Sequence, residues 1–426
     1  MNGDLDIEFV KKSQKYIINE NQSFIVSDDP DIPEVDSMLQ FFSVANYGPF
    51  KDKMDFTMEA TFDKEHPENV MSADDTDELI LSSALIFGPN GAGKSSFVDA
   101  MASLKRMVSE PYPAGYRYGW YHPFALSDEA SSSPISMCIE LIVNGILYTY
   151  SISFTEDSVV SESLFHNPNG RRAKVFERDG PSSYTKARKA ISDFTTTSSS
   201  YLTMAARFND SDCAIIYKAI TDIIVVQNLS GLPEYTCSLT VTDPDIKGLI
   251  LDGLKAVDSG ISDFTFDGSP NDGKGIHNIR LVHSFKDISG GPISFPIGME
   301  SDGTRVAFGL MGPIAEALSK GRVLMVDDLG SALHTEVTRW VLEQFAFSSE
   351  GSGAQLIAST HDLDTMDRET IRRDQIWFVD RNLDNGESEL YTLTDFNGVR
   401  KDTDYRKAYG FGKFGALPTI SGRIGV

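Results

Sequence analysis

Basic residues are scarce in this chain of 426 residues. Its 38 Lys and Arg stand against 62 Asp and Glu, for a net charge of −24. Phosphate backbones are gripped by clustered cations, so this balance argues against a protein that coats nucleic acid by bulk attraction. The basic clusters are Arg171-Arg172-Ala-Lys174, Lys186-Ala-Arg-Lys189 and Arg372-Arg373. Each reads as a solvated loop or helix face before it reads as a DNA footprint, and an acidic surface suits protein partners better. Cysteine is nearly missing. Cys138, Cys213 and Cys237 are scattered, odd in number and without metal-ligand spacing. They exclude a disulfide scaffold and fit small buried side chains in a reducing cytoplasm. No apolar run is long enough to span a bilayer, so no membrane role is expected. The opening Met1-Asn-Gly-Asp-Leu-Asp6 lacks the apolar core of a secretory signal. Sustained heptads are lacking too, which excludes a long coiled-coil arm.

What the chain does contain is a phosphate-binding loop. Residues Gly88-Pro-Asn-Gly-Ala-Gly-Lys-Ser95 follow the apolar run Ser83-Ala-Leu-Ile-Phe87. A strand, a glycine-rich turn and a helix start are the context that gives this motif meaning. The backbone N–H groups around Gly88, Asn90, Gly91, Gly93 and Ser96 would close on the phosphates of a nucleotide. Lys94 would reach the β/γ oxygens, and the Ser95 hydroxyl would bind Mg²⁺.

About two hundred residues further on comes Met299-Glu-Ser-Asp-Gly-Thr-Arg305, then a helix-like stretch from Val306 to Leu318. Gly321-Arg-Val-Leu-Met-Val-Asp-Asp-Leu329 reads as an apolar strand ending in two carboxylates, followed by Gly330-Ser-Ala-Leu-His334. Gln355-Leu-Ile-Ala-Ser-Thr-His361 is a second apolar strand, ending in Thr-His. Asp327 is placed to hold the Mg²⁺ shell, Asp328 to orient or deprotonate the attacking water, and His361 to steady that water. The Ser301–Gly303 turn opens a helix and suits an anion, yet the site already has a phosphate loop. The simplest reading is that it caps the γ-phosphate of a second subunit's nucleotide, with the active site shared across a dimer.

Together these motifs resemble an ABC-type ATPase head of the RecF/SMC kind, and more narrowly the OLD-like ATPases of bacterial anti-phage and abortive-infection loci. Gly88–Ser95 matches Walker A and Val323–Asp328 matches Walker B. Met299–Arg305 resembles the Leu-Ser-x-Gly signature, Gly330–His334 the D-loop and Thr360-His361 the H-loop. The opening Met38-Leu-Gln-Phe-Phe-Ser-Val-Ala-Asn-Tyr-Gly-Pro-Phe50, the stretch Arg372 to Val379 and the tail Tyr405 to Pro418 also resemble this group. The resemblance implies ATP and Mg²⁺ as cofactors, Lys94, Asp328 and His361 as catalytic residues, and a homo-dimer or larger homo-oligomer. By analogy with the ATPases of the PARIS, AbiL and Septu systems, it implies a sensor or scaffold switch in the cytoplasm. Such a switch would answer to a phage protein and control a separately encoded effector, a nuclease for choice. Two alternatives stay open: a RecF-like DNA repair ATPase, and a nucleotide-stabilised scaffold with little turnover. Asp328 is the best argument for the last, because the family places Glu there. Asp is one methylene shorter, and a misplacement of that size can cost about a hundredfold in rate. No glutamine after Walker A stands out as a Q-loop; His122, in Tyr121-His-Pro-Phe124, is the stand-in.

The expected fold class is α/β: a head with a mostly parallel, sandwiched sheet, an antiparallel β-subdomain and a helical insertion. The expected division is an acidic extension over 1–37, a first lobe with Walker A and a β-meander over 38–185, a helical insertion over 186–260, and a second lobe over 261–426. Asn144-Gly145 predicts a tight hairpin between Ser136–Val143 and Ile146–Phe154. The meander is expected to pack beside the adenine and ribose. The insertion is read from apolar residues at helical spacing, Tyr201, Met204, Ala205, Ile215, Ile216, Ile220 and Ile224.

Overall fold

The computed structural model describes residues 32, 34–72, 78–229, 231–258, 260–270, 273–286, 290–348, 352–400 and 403–419. All but a few residues of the expected 1–37 extension, including its acidic cluster at 28–31, lie outside the described residues. In chain order the first strands are β1 (Ser37–Ala45), β2 (Met54–Thr57), β3 (Val70–Ser72), β4 (Leu79–Leu81), β5 (Ser83–Phe87), β6 (Ile135–Val143), β7 (Ile146–Phe154), β8 (Val159–His166), β9 (Ala173–Asp179) and β10 (Ser183–Thr185). They are followed by β11 (Ile224–Val226), β12 (Ile261–Asp267), β13 (His277–Lys286), β14 (Pro292–Pro296), β15 (Val323–Val326), β16 (Gln355–Ser359), β17 (Ile376–Arg381) and β18 (Ser388–Thr392). The longer helices are α1 (Lys94–Ser109), α2 (Tyr201–Arg207), α3 (Ser211–Thr221), α4 (Leu232–Thr242), α5 (Ile246–Val257), α6 (Asp302–Lys320), α7 (Thr335–Ser348) and α8 (Tyr405–Gly410).

A six-stranded sheet in the order β11-β15-β16-β5-β17-β18 carries the motifs. Its pairings are parallel except for the last, β17 with β18. Alternate residues face opposite cores, as the strand period of two requires. Ile86, Val225, Met325, Ile357 and Trp377 join one buried cluster, while Leu85, Phe87, Leu324, Val326, Leu356 and Phe378 join the other. The first cluster lies under α1–α3 and a seven-stranded antiparallel sheet, β10-β9-β8-β7-β6-β1-β2. The second lies under α4–α8. Buried Gln355 joins the two sheets, taking the N–H of Leu39 at 2.6 Å and donating to the carbonyls of Leu39 and Leu81 at 3.0 and 3.1 Å. The fold class is therefore α/β, with the parallel sheet sandwiched as its alternating elements imply.

The hairpin expectation holds in detail. The Asn144-Gly145 turn has positive φ at both residues, 49° and 74°, as a tight hairpin needs. In the C-terminal stretch, the rings of Tyr409 and Phe414 stack on Phe378 at 5.5 and 5.7 Å. Others are corrected. Ile224 is not helical: with Val225 and Val226 it forms β11, the edge strand beside β15. The stretch expected as a helical insertion over 186–260 thus contributes a strand to the central sheet. β-branched Ile and Val in a row bury on both faces there, which overrides the helical spacing of the residues before them. The helix after the signature turn is longer than Val306–Leu318, running Asp302–Lys320. Arg372 is no solvated patch but is 2 % exposed. It pairs with Asp374 at 2.7 Å and donates to the carbonyls of Thr61, Asp63 and Glu65.

Candidate functional site

Because β11, β15, β16, β5 and β17 run parallel, their carboxyl ends fall on one edge, where open α/β sheets bind ligands. A cleft of about 590 Å³ opens there. It is lined by Asn90, Gly91, Gly93, Lys94, Ser95 and Ser96 from the phosphate loop, with Asp327, Asp328, Ser359 and His361 facing them. Gly48, Pro49, Phe124, Ala125, Leu126, Arg381 and Gly386 complete its wall. Motifs far apart in sequence are thus brought to one space.

The loop is shaped by close packing. Gly93 has φ 117°, and a Cβ there would stand 2.8 Å from Pro49 Cγ. Gly88 does not line the cleft; a Cβ on it would stand 2.3 Å from the carbonyl oxygen of Val379 on β17. Lys94 begins α1 and folds back, donating to the carbonyls of Gly88 at 2.8 Å and Pro89 at 3.1 Å. Burial pushes its pKa below the ordinary Lys value, against the pull of Asp327 and Asp328. Burial, and then the Lys94 charge, push His361 below its ordinary 6.5.

The two acids follow β15. Asp327 accepts a hydrogen bond from Ser359 Oγ at 2.6 Å, and its own N–H meets the Val226 carbonyl at 2.8 Å. Asp328 takes a left-handed backbone, φ 59°, and its Oδ1 is buried without a hydrogen-bond partner. A loop shaped by glycines and a buried lysine that donates to two loop carbonyls fit a nucleotide phosphate, and the oxygens of Ser95 and Asp327 lining the same cleft fit Mg²⁺. Ser95 and Asp327 would hold Mg²⁺, which when bound neutralises phosphate charge. No group of three or more His, Cys, Asp or Glu able to cage a metal occurs among the described residues.

The structure does not bring Ser301 and Gly303 into this cleft. Ser301 caps α6, its hydroxyl taking the Thr304 N–H at 3.1 Å, and Gly303 packs toward the Ala332 carbonyl. His122 is also outside; its carbonyl receives the Gly48 N–H at 2.7 Å. The strands of the meander do not wall the cleft; the turn after β1 does. Two residues were missed by sequence reasoning. Ser359 touches both acids. Gln227 directly follows β11, one strand from Asp327; it does not itself line the cleft but joins Asp99 of α1 at 2.6 Å and Arg106 at 2.9 Å. A glutamine directly after an apolar Ile-Val-Val run was the available signal for Gln227.

Fold and cleft together define a P-loop ATPase head. Residues 83–193 and 242–367, more than half of the chain, match the family described as "AAA domain, putative AbiEii toxin, Type IV TA system", and the chain belongs to that family. It is also similar to solved SMC heads. One is the SMC head domain from Thermotoga maritima, at 14% identity and TM-score 0.44 over 83% of this chain and 98% of that one. Another is an SMC head bound to the C-winged helix domain of ScpA, at 13% and 0.43 over 84% and 97%. A third is an SMC head with an extended coiled coil bound to the C-terminal domain of ScpA derived from Pyrococcus furiosus, at 11% and 0.39 over 88% and 99%. Among curated proteins none matches.

Proposed function

We propose that this chain binds and hydrolyses ATP with Mg²⁺ and works as a switch in a cytoplasmic bacterial anti-phage or abortive-infection system. The observation that carries the reading is the meeting of Lys94, Ser95, Asp327, Asp328 and His361 around one cleft. The AbiEii-type family supports the abortive-infection setting. In this reading the loop N–H groups and Lys94 hold the phosphates, Asp328 orients the attacking water, and a largely neutral His361 steadies it. Gln227 takes the place left open for a Q-loop glutamine. The Ser301–Gly303 turn, lying outside its own cleft, serves the nucleotide of a second head, so ATP pairs two copies. Residues 38–185 and 261–426 act as two lobes of that head, and pairing holds or releases a separately encoded effector, a nuclease for choice, under a phage-protein trigger. The OLD-like subgroup is part of this proposal. A second reading, a nucleotide-stabilised scaffold with little turnover, is favoured by Asp at 328.

The test is co-purification of the chain with the product of its adjacent gene, with and without ATP, weighed by mass photometry. An ATP-responsive complex with a nuclease-like partner is the expected result. Recovery of a lone ATP-responsive dimer that binds DNA would replace this reading with a RecF-like one.

A further inference from the structure

The hydroxyl of Ser359 has two partners at the acids. It donates to Asp327 Oδ1 at 2.6 Å and accepts the backbone N–H of Asp328 at 2.8 Å. Ser359 ends β16 and is 0 % exposed. Its carbonyl takes the Leu329 N–H at 2.8 Å, and the Thr360 hydroxyl donates to the Leu329 carbonyl at 2.7 Å. Regular pairing of β15 with β16 ends at Val326 and Ala358. Beyond that point these four bonds, two of them from one hydroxyl, fix the path of residues 327–329.

Asp328 lies in the left-handed region, φ 59°. That conformation is uncommon outside glycine, and Asp and Asn reach it several-fold more often than other side chains. Its N–H is satisfied by the Ser359 hydroxyl at the end of β16. Its carboxylate lines the cleft with one oxygen unpartnered.

We infer that Ser359 is a positioning residue: its hydroxyl holds Asp328 in the left-handed backbone that presents the shorter carboxylate to the cleft, and that backbone is the reason an aspartate stands at 328. The inference rests on the reading of Asp328 as the acid that orients water. A Glu here gains a methylene of reach but loses the backbone preference that places it.

The test uses the full chain with D328N, D328E, S359A and the double variant S359A/D328N, measuring ATP turnover, MgATP binding and Tm. S359A is expected to cut turnover by about tenfold or more while MgATP binding moves by less than about threefold. At saturating MgATP, where any loss carried through the Asp327 bond to metal binding is removed, the double variant is expected to turn over no slower than D328N alone, because Ser359 acts through Asp328. D328E is expected to melt below D328N and to turn over more slowly than wild type, since Asn fits the left-handed backbone as Asp does. The melting comparison needs no turnover. Additive loss in the double variant overturns the inference, as does a D328E as stable as D328N. If S359A does not fold, S359C, close in size with a weaker donor, is expected to fall between wild type and D328N; wild-type turnover in it overturns the inference. Wild-type turnover in D328N is a different failure, because it removes Asp328 from the chemistry altogether.

Discussion

That Lys94, Gly93 and His361 line one cleft was legible in the sequence because the marks are local: a loop string, a strand end and a spacing between them. Ser359 was not, because its importance is a pair of tertiary hydrogen bonds made by a hydroxyl that any strand could carry. At Gly93 the reason for glycine is steric as well as conformational, since Pro49 stands 2.8 Å from where a Cβ would go. Gly93→Ala is expected to cost about 1–3 kcal/mol of stability by melting, and to weaken ATP binding more than that loss explains. His361 is held below its ordinary pKa, so it stays neutral at pH 7. Any acid limb that it gives the pH–turnover profile should fall below pH 6.5 and vanish in His361→Gln; a limb centred above that value would contradict its environment. Lys105, on α1, is buried, donates to the Ile223 carbonyl at 2.6 Å and is pushed down to about 8 by that burial. Between pH 8 and its ordinary 10.5 the unfolded chain binds the extra proton, so stability from this group rises with pH there. The stability of wild type relative to Lys105→Met should therefore grow over that window, by up to roughly 3 kcal/mol, in denaturant titrations.

Among the elements, α6 shows how packing completes what sequence alone leaves broken. Pro313 lies inside this helix and cannot donate to the Gly309 carbonyl four residues back. The hydroxyl of Thr236 on α4 supplies the missing bond at 2.7 Å. Close approach is possible because Gly309 and Gly312 face α4; a Cβ on Gly312 would meet Thr236 Oγ1 at 2.3 Å. Thr236→Val should leave that carbonyl unsatisfied and cost about 1–3 kcal/mol by chemical denaturation. A loss below about 0.5 kcal/mol would mean that water replaces the hydroxyl. Helix α4 falls within the expected helical insertion, but β12 was not foreseen and β11 was read as helix. A three-residue strand placed after a helical run offers too few residues for its period to show, and only pairing with β15 defines it. Asn144-Gly145 was legible for the opposite reason: both residues must adopt positive φ, and few pairs do so cheaply.

At the scale of the whole molecule, the cleft is lined without the Ser301–Gly303 turn. Pairing of two heads is the arrangement that would give this turn a phosphate. Ser301→Arg should remove ATP-dependent pairing in sedimentation while each chain still binds ATP. It also loses a helix cap, so a stability loss of about 1 kcal/mol is expected beside it. The −24 charge makes such pairing sensitive to salt, with repulsion between heads eased as ionic strength rises. All of this depends on the nucleotide entering the cleft at Lys94. The most direct measurement is calorimetric titration of MgATP into wild type and Lys94→Ala at equal folded fraction. The account predicts one nucleotide per wild-type chain and an affinity lowered by about a hundredfold or more in the variant. Equal affinities in the two proteins would contradict it.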